Sequence, residues 1–231
     1  MSAKTFVVAG GTSGIGFETA RILAAEHRVV VLGDVADEVS VASRDLGCTG
    51  LTCDVSDPDQ IHASLDEVGS RYGDIYGLAD CASIWAGGAL ETLAPHAVRR
   101  AIEVNVLGTA LLLREALIRM AQQGQGNIVY VGAIAVEVPR PGIPLYRATK
   151  SFGKSLVESL AQELGSNRIK VMQLHPGPVP TRLQERQGAR FVDRVFAQPD
   201  QVAREVVRLL VLAPEDLYIS GQKVLRADGR W

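Results

Sequence analysis

A tyrosine and a lysine, Tyr146 and Lys150, lie four residues apart at the start of a segment with helical spacing of apolar residues. On a helix this spacing places both side chains on one face, about one turn apart. A phenol titrates at about pH 10 and is a poor acid or base at neutral pH, but a nearby ammonium favours the phenolate and lowers its pKa. The pair predicts proton-transfer chemistry. A half-buried tyrosine beside a solvated lysine is the alternative that the pair alone leaves open.

A glycine-rich turn follows the first predicted strand, Thr5–Ala9, and precedes a helical pattern. Strand, glycine turn and helix in this order allow a pyrophosphate to approach backbone N–H groups at a helix N-terminus. A plain turn between a strand and a helix is the alternative. The residues of the turn that we assign to a dinucleotide are Gly10, Thr12, Ser13, Gly14, Ile15 and Gly16.

Asp34 follows the second predicted strand, Val29–Leu32. An acidic residue about 20 residues beyond such glycines suits hydrogen bonds from the hydroxyls of an adenosine ribose. A carboxylate there would repel a 2′-phosphate, and neither Ser13 nor Val35 offers a base to hold one. These residues predict NAD (NADH) as the cofactor in preference to NADP. An aspartate that only caps its loop is the alternative.

The elements that must position these residues alternate along the chain. Short apolar runs separated by helical patterns predict strands at Thr5–Ala9, Val29–Leu32, Leu51–Cys53, Ile75–Ala79, Asn127–Val131, Ile169–Leu174 and Tyr218–Arg226. This alternation is typical of an α/β fold. We predict a doubly wound parallel sheet (a Rossmann fold) of about seven strands, with helices on both faces and a single domain over residues 1–231. Ligands of such sheets bind at the carboxyl ends of the strands.

The composition and charge of the chain limit the kinds of partner, compartment and ligand that it is expected to have. The formal net charge is −2, with acids and bases mixed along the chain, which predicts no nucleic-acid partner. No apolar stretch is long enough to span a membrane, and the N-terminus shows no secretory signal pattern. The three cysteines have no C-x-x-C spacing and predict reduced thiols in the cytoplasm. The four histidines form no ligand-spaced pair, so we predict no metal.

With these positions assigned, the chain resembles the short-chain dehydrogenase/reductase family over essentially its whole length. The turn at Gly10, Gly14 and Gly16 looks like that family's cofactor loop. The resemblance implies that Tyr146 is the acid/base residue and that Lys150 binds the ribose and lowers the pKa of the tyrosine. It also implies a structural and proton-relay role for Asn105, and further cofactor contacts at Asp54, Val55, Cys81, Ala82, Ser83, Pro176, Gly177, Val179 and Thr181.

Two departures from the family pattern affect the site. The Asn-Asn-Ala-Gly that the family carries after strand four is Asp80-Cys81-Ala82-Ser83 here, so that wall of the cofactor site differs. Ala133 occupies the position of the family's catalytic serine. By analogy with the loss of one oxyanion-hole donor, the absence of the serine hydroxyl is expected to lower the reaction rate on the order of 10²–10³-fold.

Three explanations of Ala133 stay open. It is an engineered Ser→Ala substitution, or another hydroxyl replaces the serine, or the protein binds NAD without efficient turnover. The hydroxyls available for the second explanation are those of Ser83, Thr181 and the substrate.

The resemblance implies an NAD(H)-dependent oxidoreductase that interconverts a secondary alcohol and a ketone. An NAD-binding protein with little or no turnover is one alternative, and an epimerase or dehydratase that uses NAD transiently is another.

Residues 182–198 are predicted to be a substrate lid. Its arginines, with Arg140 and Arg147, either meet an anionic group or form a solvated face. Surplus apolar surface on the helices around Asn105 and after Tyr146, together with the resemblance, predicts a homodimer or homotetramer.

Overall fold

The computed structural model describes residues 3–164, 168–185, 197–216 and 221–224. Its strands are β1 (Thr5–Ala9), β2 (Arg28–Gly33), β3 (Thr49–Thr52), β4 (Ile75–Asp80), β5 (Gly126–Val131), β6 (Ile169–Pro176) and β7 (Gly221–Val224). They form one seven-stranded sheet in the order β3-β2-β1-β4-β5-β6-β7, and every neighbouring pair is parallel. The predicted doubly wound parallel sheet is confirmed.

The helices cover both faces of the sheet. They are α1 (Gly14–Ala24), α2 (Ala36–Leu46), α3 (Pro58–Tyr72), α4 (Pro95–Ile102), α5 (Thr109–Gln123), α6 (Pro144–Leu164), α7 (Arg182–Glu185) and α8 (Pro199–Leu210). Helices α3, α5 and α6 contribute to one apolar cluster, whereas α1 and α8 contribute to the other. Because the sheet is buried on both sides, its central strands are continuous apolar runs such as Phe6–Ala9.

The helical segment between β4 and β5 is not continuous. Six residues, Glu103–Gly108, form a π-helical turn between α4 and α5. Buried Asn105 lies in this turn, and a Cβ on Gly108 would come within 3.0 Å of the Val55 carbonyl oxygen. The wider turn therefore carries a buried amide and a close approach to the loop after β3. Such interruptions of α-helices are frequent at functional sites.

Two predictions fall partly outside the described residues. The last predicted strand, Tyr218–Arg226, is present over Gly221–Val224, and its remaining residues lie outside the described ranges. Of the predicted lid, residues 182–185 are helical and residues 186–196 lie outside the described ranges.

The structure also bears on membranes, metals and thiols. Within the described ranges, no helix has the length and apolar character needed to cross a membrane. The same ranges contain no cluster of three or more His, Cys, Asp or Glu side chains arranged to hold a metal ion. The three cysteines are free thiols, of which Cys53 is buried.

Candidate active site

The carboxyl ends of the strands open into a cavity of about 430 Å³. All residues that the sequence assigned to the cofactor or to catalysis line this cavity, apart from Asn105. The sheet order explains why distant segments meet there. Strands β2 and β3 lie on one side of β1, and strands β4, β5 and β6 lie on the other, so the loops after all of them share one edge.

The glycine turn has the geometry that close approach of a phosphate requires. Gly10 and Gly14 have positive φ angles of 68° and 56°, which favour glycine. A Cβ on Gly16 would lie 2.1 Å from the Gly10 carbonyl oxygen, so only glycine fits where the start of the helix approaches the turn. Helix α1 begins at Gly14, and no side chain caps its first N–H groups. The turn therefore fits a dinucleotide pyrophosphate, which would accept hydrogen bonds from those groups.

The ends of β2 and β3 form a charged region of the cavity. The carboxylate of Asp54 accepts hydrogen bonds from the Ser56 hydroxyl (2.7 Å) and from Nη2 of Arg100 (2.8 Å). Partial burial raises the pKa of Asp54, but the hydrogen bonds from Ser56 and Arg100 outweigh it and hold the pKa below its usual value. The same Arg100 nitrogen is 3.9 Å from an oxygen of the exposed Asp34. Arg100 thus links the two carboxylates that the sequence assigned to adenosine.

The sequence alone indicates no basic side chain near Asp34, because Ser13 and Val35 are the neighbours it predicts. Tertiary packing adds Arg100 from α4 and Arg182 from α7 to the same cavity. Nothing in the local sequence indicated Arg100, because its partner Asp54 lies 46 residues earlier in the chain. A basic residue near Asp34 is therefore present, although Arg100 already pairs with Asp54.

Tyr146 and Lys150 lie on one buried face of α6, as their spacing predicted. The Tyr146 ring lies 4.7 Å from the ring of Trp85, centroid to centroid, at an interplanar angle of 46°. Trp85 lines the cavity and was missed in the sequence, although it closely follows the end of β4, where ligand-binding residues are expected. Lys150 Nζ donates a hydrogen bond to the Val131 carbonyl oxygen (3.1 Å).

Burial is the largest influence on the pKa values of both Tyr146 and Lys150. It raises the pKa of the Tyr146 phenol, and it lowers the pKa of the Lys150 ammonium, which the negative charge of Asp80 partly restores. The lowering of the tyrosine pKa expected from Lys150 is therefore not the net direction here. Removal of water from the phenol prevails, because the phenolate is the charged form that burial disfavours.

Asn105 is satisfied by protein groups alone. Its Oδ1 accepts hydrogen bonds from the Ile84 N–H (2.9 Å) and the Ser83 hydroxyl (3.2 Å). Its Nδ2 donates to the Ile84 carbonyl (2.9 Å) and to Thr149 Oγ1 (3.2 Å). These bonds tie the loop after β4 to α6 next to Tyr146. The proton-relay role that the resemblance implies for Asn105 stays a prediction.

Ala133 lies two residues after the end of β5, lines the cavity, and packs in an apolar cluster with Tyr146, Trp85 and Ile143. Of the hydroxyls considered as substitutes for the missing serine, Ser83 already donates to Asn105, whereas Thr181 packs against Gly14 of the glycine turn. Both line the cavity, so both alternatives stay open.

Behind Tyr146 and Lys150 lie two buried polar side chains, those of Asp80 and Tyr130. Asp80 pairs in register with Tyr130 on the neighbouring strand, and both side chains are buried. The Asp80 carboxylate accepts hydrogen bonds from the Ala82 N–H (3.2 Å) and from the Thr109 hydroxyl. The Tyr130 hydroxyl has no hydrogen-bond partner in the described ranges. Gly153 makes room for Tyr130, since a Cβ there would lie 2.3 Å from the ring.

Replacing Asp80 by asparagine is expected to stabilise the folded protein at neutral pH. Burial raises the pKa of Asp80 in the folded state above its ordinary value of 3.8, and this effect outweighs the attraction of Lys150 and the hydrogen bonds from Thr109 and Ala82. The Asp80 carboxyl therefore contributes stability that is fully present below pH 3.8. This contribution is lost as the pH rises through the raised pKa of the folded state. Asparagine stays neutral, so the difference between the free energies of unfolding should widen with pH.

Urea unfolding across the pH range measures this difference. The exposed Asp45→Asn variant is the matched control and should show no such widening. A loss of stability in Asp80→Asn at neutral pH would mean that Lys150 depends on the carboxylate more than burial penalises it.

Comparisons with known proteins identify the family of the chain. The sequence profile described as short chain dehydrogenase matches residues 4–190. The chain is 34% identical over 220 residues to cis-4-hydroxycyclohexanecarboxylate dehydrogenase of Sinomonas cyclohexanicum, covering 89% of this chain and 88% of that protein. It is 31% identical over 185 residues to 3-alpha-(or 20-beta)-hydroxysteroid dehydrogenase of Mycobacterium bovis, covering 79% and 71%. Actinorhodin polyketide ketoreductase with NADPH has a TM-score of 0.89 at 24% identity, covering 99% and 98%.

The chain belongs to the short-chain dehydrogenase/reductase family. The curated relatives named above are dehydrogenases, which supports an oxidoreductase. The solved ketoreductase, at its low identity, shows the shared fold.

Proposed function

We propose that this protein is an NAD(H)-dependent oxidoreductase that interconverts a secondary alcohol and a ketone. The observation that carries the proposal is a single cavity lined both by the glycine turn and by Tyr146 and Lys150. The relative from Sinomonas is named for a hydroxylated cyclohexanecarboxylate, which supports a ring-bearing alcohol as the kind of substrate.

The residues of the chain handle the proton of the reaction. When bound, the nicotinamide supplies the hydride acceptor or donor. In alcohol oxidation Tyr146 Oη takes the hydroxyl proton as the carbonyl forms, and in ketone reduction it returns a proton to the oxygen. Lys150, buried one turn away, favours the phenolate by its charge and would bind the ribose. Trp85 and Ile143 line the cavity and limit the access of water to the reacting atoms.

The proposal includes NAD as the cofactor, since the carboxylate of Asp34 lies where a 2′-phosphate would be repelled. Arg100 and Arg182 line the same region, but each is already paired: Arg100 with Asp54 at 2.8 Å and Arg182 with Glu38 at 3.3 Å. A 2′-phosphate would have to compete with those carboxylates for either arginine.

Replacing Asp34 by serine is expected to reduce the preference for NADH over NADPH by about tenfold, because it removes the repelling charge and leaves Arg100 next to the ribose site. Fluorescence titrations with each dinucleotide measure the two dissociation constants. Asp37→Ser, an exposed aspartate in the following helix, is the matched control and should leave the ratio unchanged. A preference of the unmodified protein for NADPH would contradict the choice of NAD.

The function itself is tested by NADH oxidation with a panel of ketones and by NAD⁺ reduction with secondary alcohols. Turnover with either panel supports the oxidoreductase.

Ala133 favours a second candidate, a dinucleotide-binding protein with little turnover. That candidate predicts tight NADH binding and no reaction with any member of either panel. An epimerase or dehydratase would convert its substrate without net change in NADH.

The proposal extends to a homodimer or homotetramer, with the helices after β4 and β5 at the interface. Four large apolar side chains on this part of the molecule are between 36% and 45% exposed, namely Ile102, Leu107, Ile118 and Phe152. Their burial in a subunit interface would remove this apolar surface from water. A monomer in sedimentation velocity would contradict this assembly. The cytoplasmic location expected from the cysteines stays a prediction.

A further inference from the structure

The cavity has two regions with different charge content. Around the ends of β2 and β3 it is lined by three carboxylates, those of Asp34, Glu38 and Asp54, and by the two arginines that pair with them. Around Tyr146, across β1 and β4 in the sheet order, the described lining residues include no acid. The walls of this second region, which we call the substrate region, are Ile84, Trp85, Ala133, Ala135 and Ile143.

One cation is available in the substrate region. Arg140 lines the cavity between the end of β5 and the start of α6, and its side chain makes no hydrogen bond or ion pair with any residue in the described ranges. The acidic residue nearest to Arg140 in the sequence is Glu137, and its Oε1 lies 3.8 Å from Nζ of Lys154. Arg140 is exposed, so its guanidinium is free to form two parallel hydrogen bonds with an anionic group of a ligand bound against the apolar walls.

Within the described ranges, the other basic residues near the cavity already have partners, and the lid arginines at positions 186, 190 and 194 lie outside those ranges. Arg147 turns back to its own loop and donates to the carbonyl oxygens of Ala135 and Val136, both at 3.0 Å. Arg182 pairs with Glu38, outside the substrate region. Lys150 is buried and donates to the Val131 carbonyl oxygen. The choice among the arginines that the sequence left open therefore reduces, within the described residues, to Arg140.

We propose that Arg140 binds a carboxylate of the substrate, so that the substrate class is a hydroxy acid or oxo acid with an apolar body between its two polar ends. The apolar body would lie against Trp85 and Ile143, with the reacting oxygen at Tyr146. A carboxylate is favoured over a phosphate because one planar guanidinium satisfies it with two parallel hydrogen bonds, whereas a phosphate dianion calls for further cations or N–H groups. This inference rests on the proposed function for its orientation of the substrate.

A binding experiment tests the inference without turnover. Calorimetric titration of the NADH-loaded protein with cyclohexanecarboxylate and with the neutral cyclohexanecarboxamide compares two ligands of the same shape. We expect the acid to bind about tenfold more tightly, which corresponds to the strength of one charge-assisted pair in a partly apolar site. In Arg140→Gln the two affinities should become equal through weaker binding of the acid, while the affinity for the amide stays the same.

The exposed Arg44→Gln variant is the control for the loss of one positive charge elsewhere, and it should keep the preference for the acid. Equal affinities in the unmodified protein, or an unchanged preference in Arg140→Gln, would overturn the inference.

A turnover experiment separates this inference from the proposed function. With 4-oxocyclohexanecarboxylate and its amide as ketone substrates, Arg140→Gln should raise the KM for the acid about tenfold and leave kcat nearly unchanged, because the charge pair is present equally in ground and transition states. Neutral ketones reduced as well as the acid, with no effect of Arg140→Gln, would support the function and overturn the anion site. Preferential binding of the acid without reduction of any ketone would support the anion site and count against the function.

Discussion

Replacing Ala133 by serine is expected to raise kcat for ketone reduction on the order of 10²–10³-fold, the effect of restoring one hydrogen-bond donor to a developing oxyanion. The backbone accepts the change, since Ala133 is extended with a φ of −155°. The position faces the cavity, so a hydroxyl there would not be enclosed by apolar side chains alone. Steady-state rates with NADH and ketones, and with NAD⁺ and secondary alcohols, measure the effect.

Ala135→Ser is the matched control for this substitution. Ala135 also lines the cavity and belongs to the same apolar cluster, but it does not occupy the position of the family's serine. It should show no gain. Good activity in the unmodified protein with no gain from Ala133→Ser would indicate that Ser83, Thr181 or the substrate already supplies the hydroxyl. Inactivity of both forms, with NADH still bound, would favour the dinucleotide-binding protein.

Replacing Tyr146 by phenylalanine is expected to lower kcat by about 10³-fold, within the range contributed by a positioned general acid or base. The hydroxyl of Tyr146 makes no hydrogen bond within the described ranges, so its removal disturbs no structural contact. Packing against Trp85 and the surrounding cluster should persist, and NADH affinity should change little. Single-turnover rates and NADH titration separate the loss of chemistry from a loss of binding.

Tyr130→Phe provides the control for Tyr146→Phe. Tyr130 is fully buried, and its hydroxyl has no partner in the described residues, so its removal should leave activity and stability close to those of the unmodified protein. Equal losses in the two variants would show that the phenol of Tyr146 has no special role in the reaction.

The pH dependence follows from the same tyrosine. Burial raises the pKa of Tyr146, so its phenol stays protonated at neutral pH. Ketone reduction uses that proton and is expected to proceed at neutral pH, whereas alcohol oxidation needs the phenolate and should become faster as the pH rises. An oxidation rate that is independent of pH in the alkaline range would contradict the role of Tyr146 as the base.

Much of the site was predictable because its residues follow strands that are recognisable from local sequence. The buried runs Thr5–Ala9 and Asn127–Val131 read as strands because both faces of a parallel sheet are covered by helices. The carboxyl ends of such strands meet at one edge of the sheet. The glycine turn, Asp34 and Tyr146 therefore had to converge there once the alternation of strands and helices was known.

The sequence by itself determined the doubly wound sheet, the glycine turn and the shared helical face of Tyr146 and Lys150, because each depends on spacing within one segment. Only the tertiary structure decided that Arg100 bridges two carboxylates and that Gly153 makes room for Tyr130 behind the site. It also decided that Arg140, unlike Arg147 and Arg182, lacks a partner within the described ranges. These relations depend on side chains far apart in the chain, whose pairing is set by how helices pack on the sheet. The direction of the Tyr146 titration has the same origin, because burial is a property of the packed site and not of the residue.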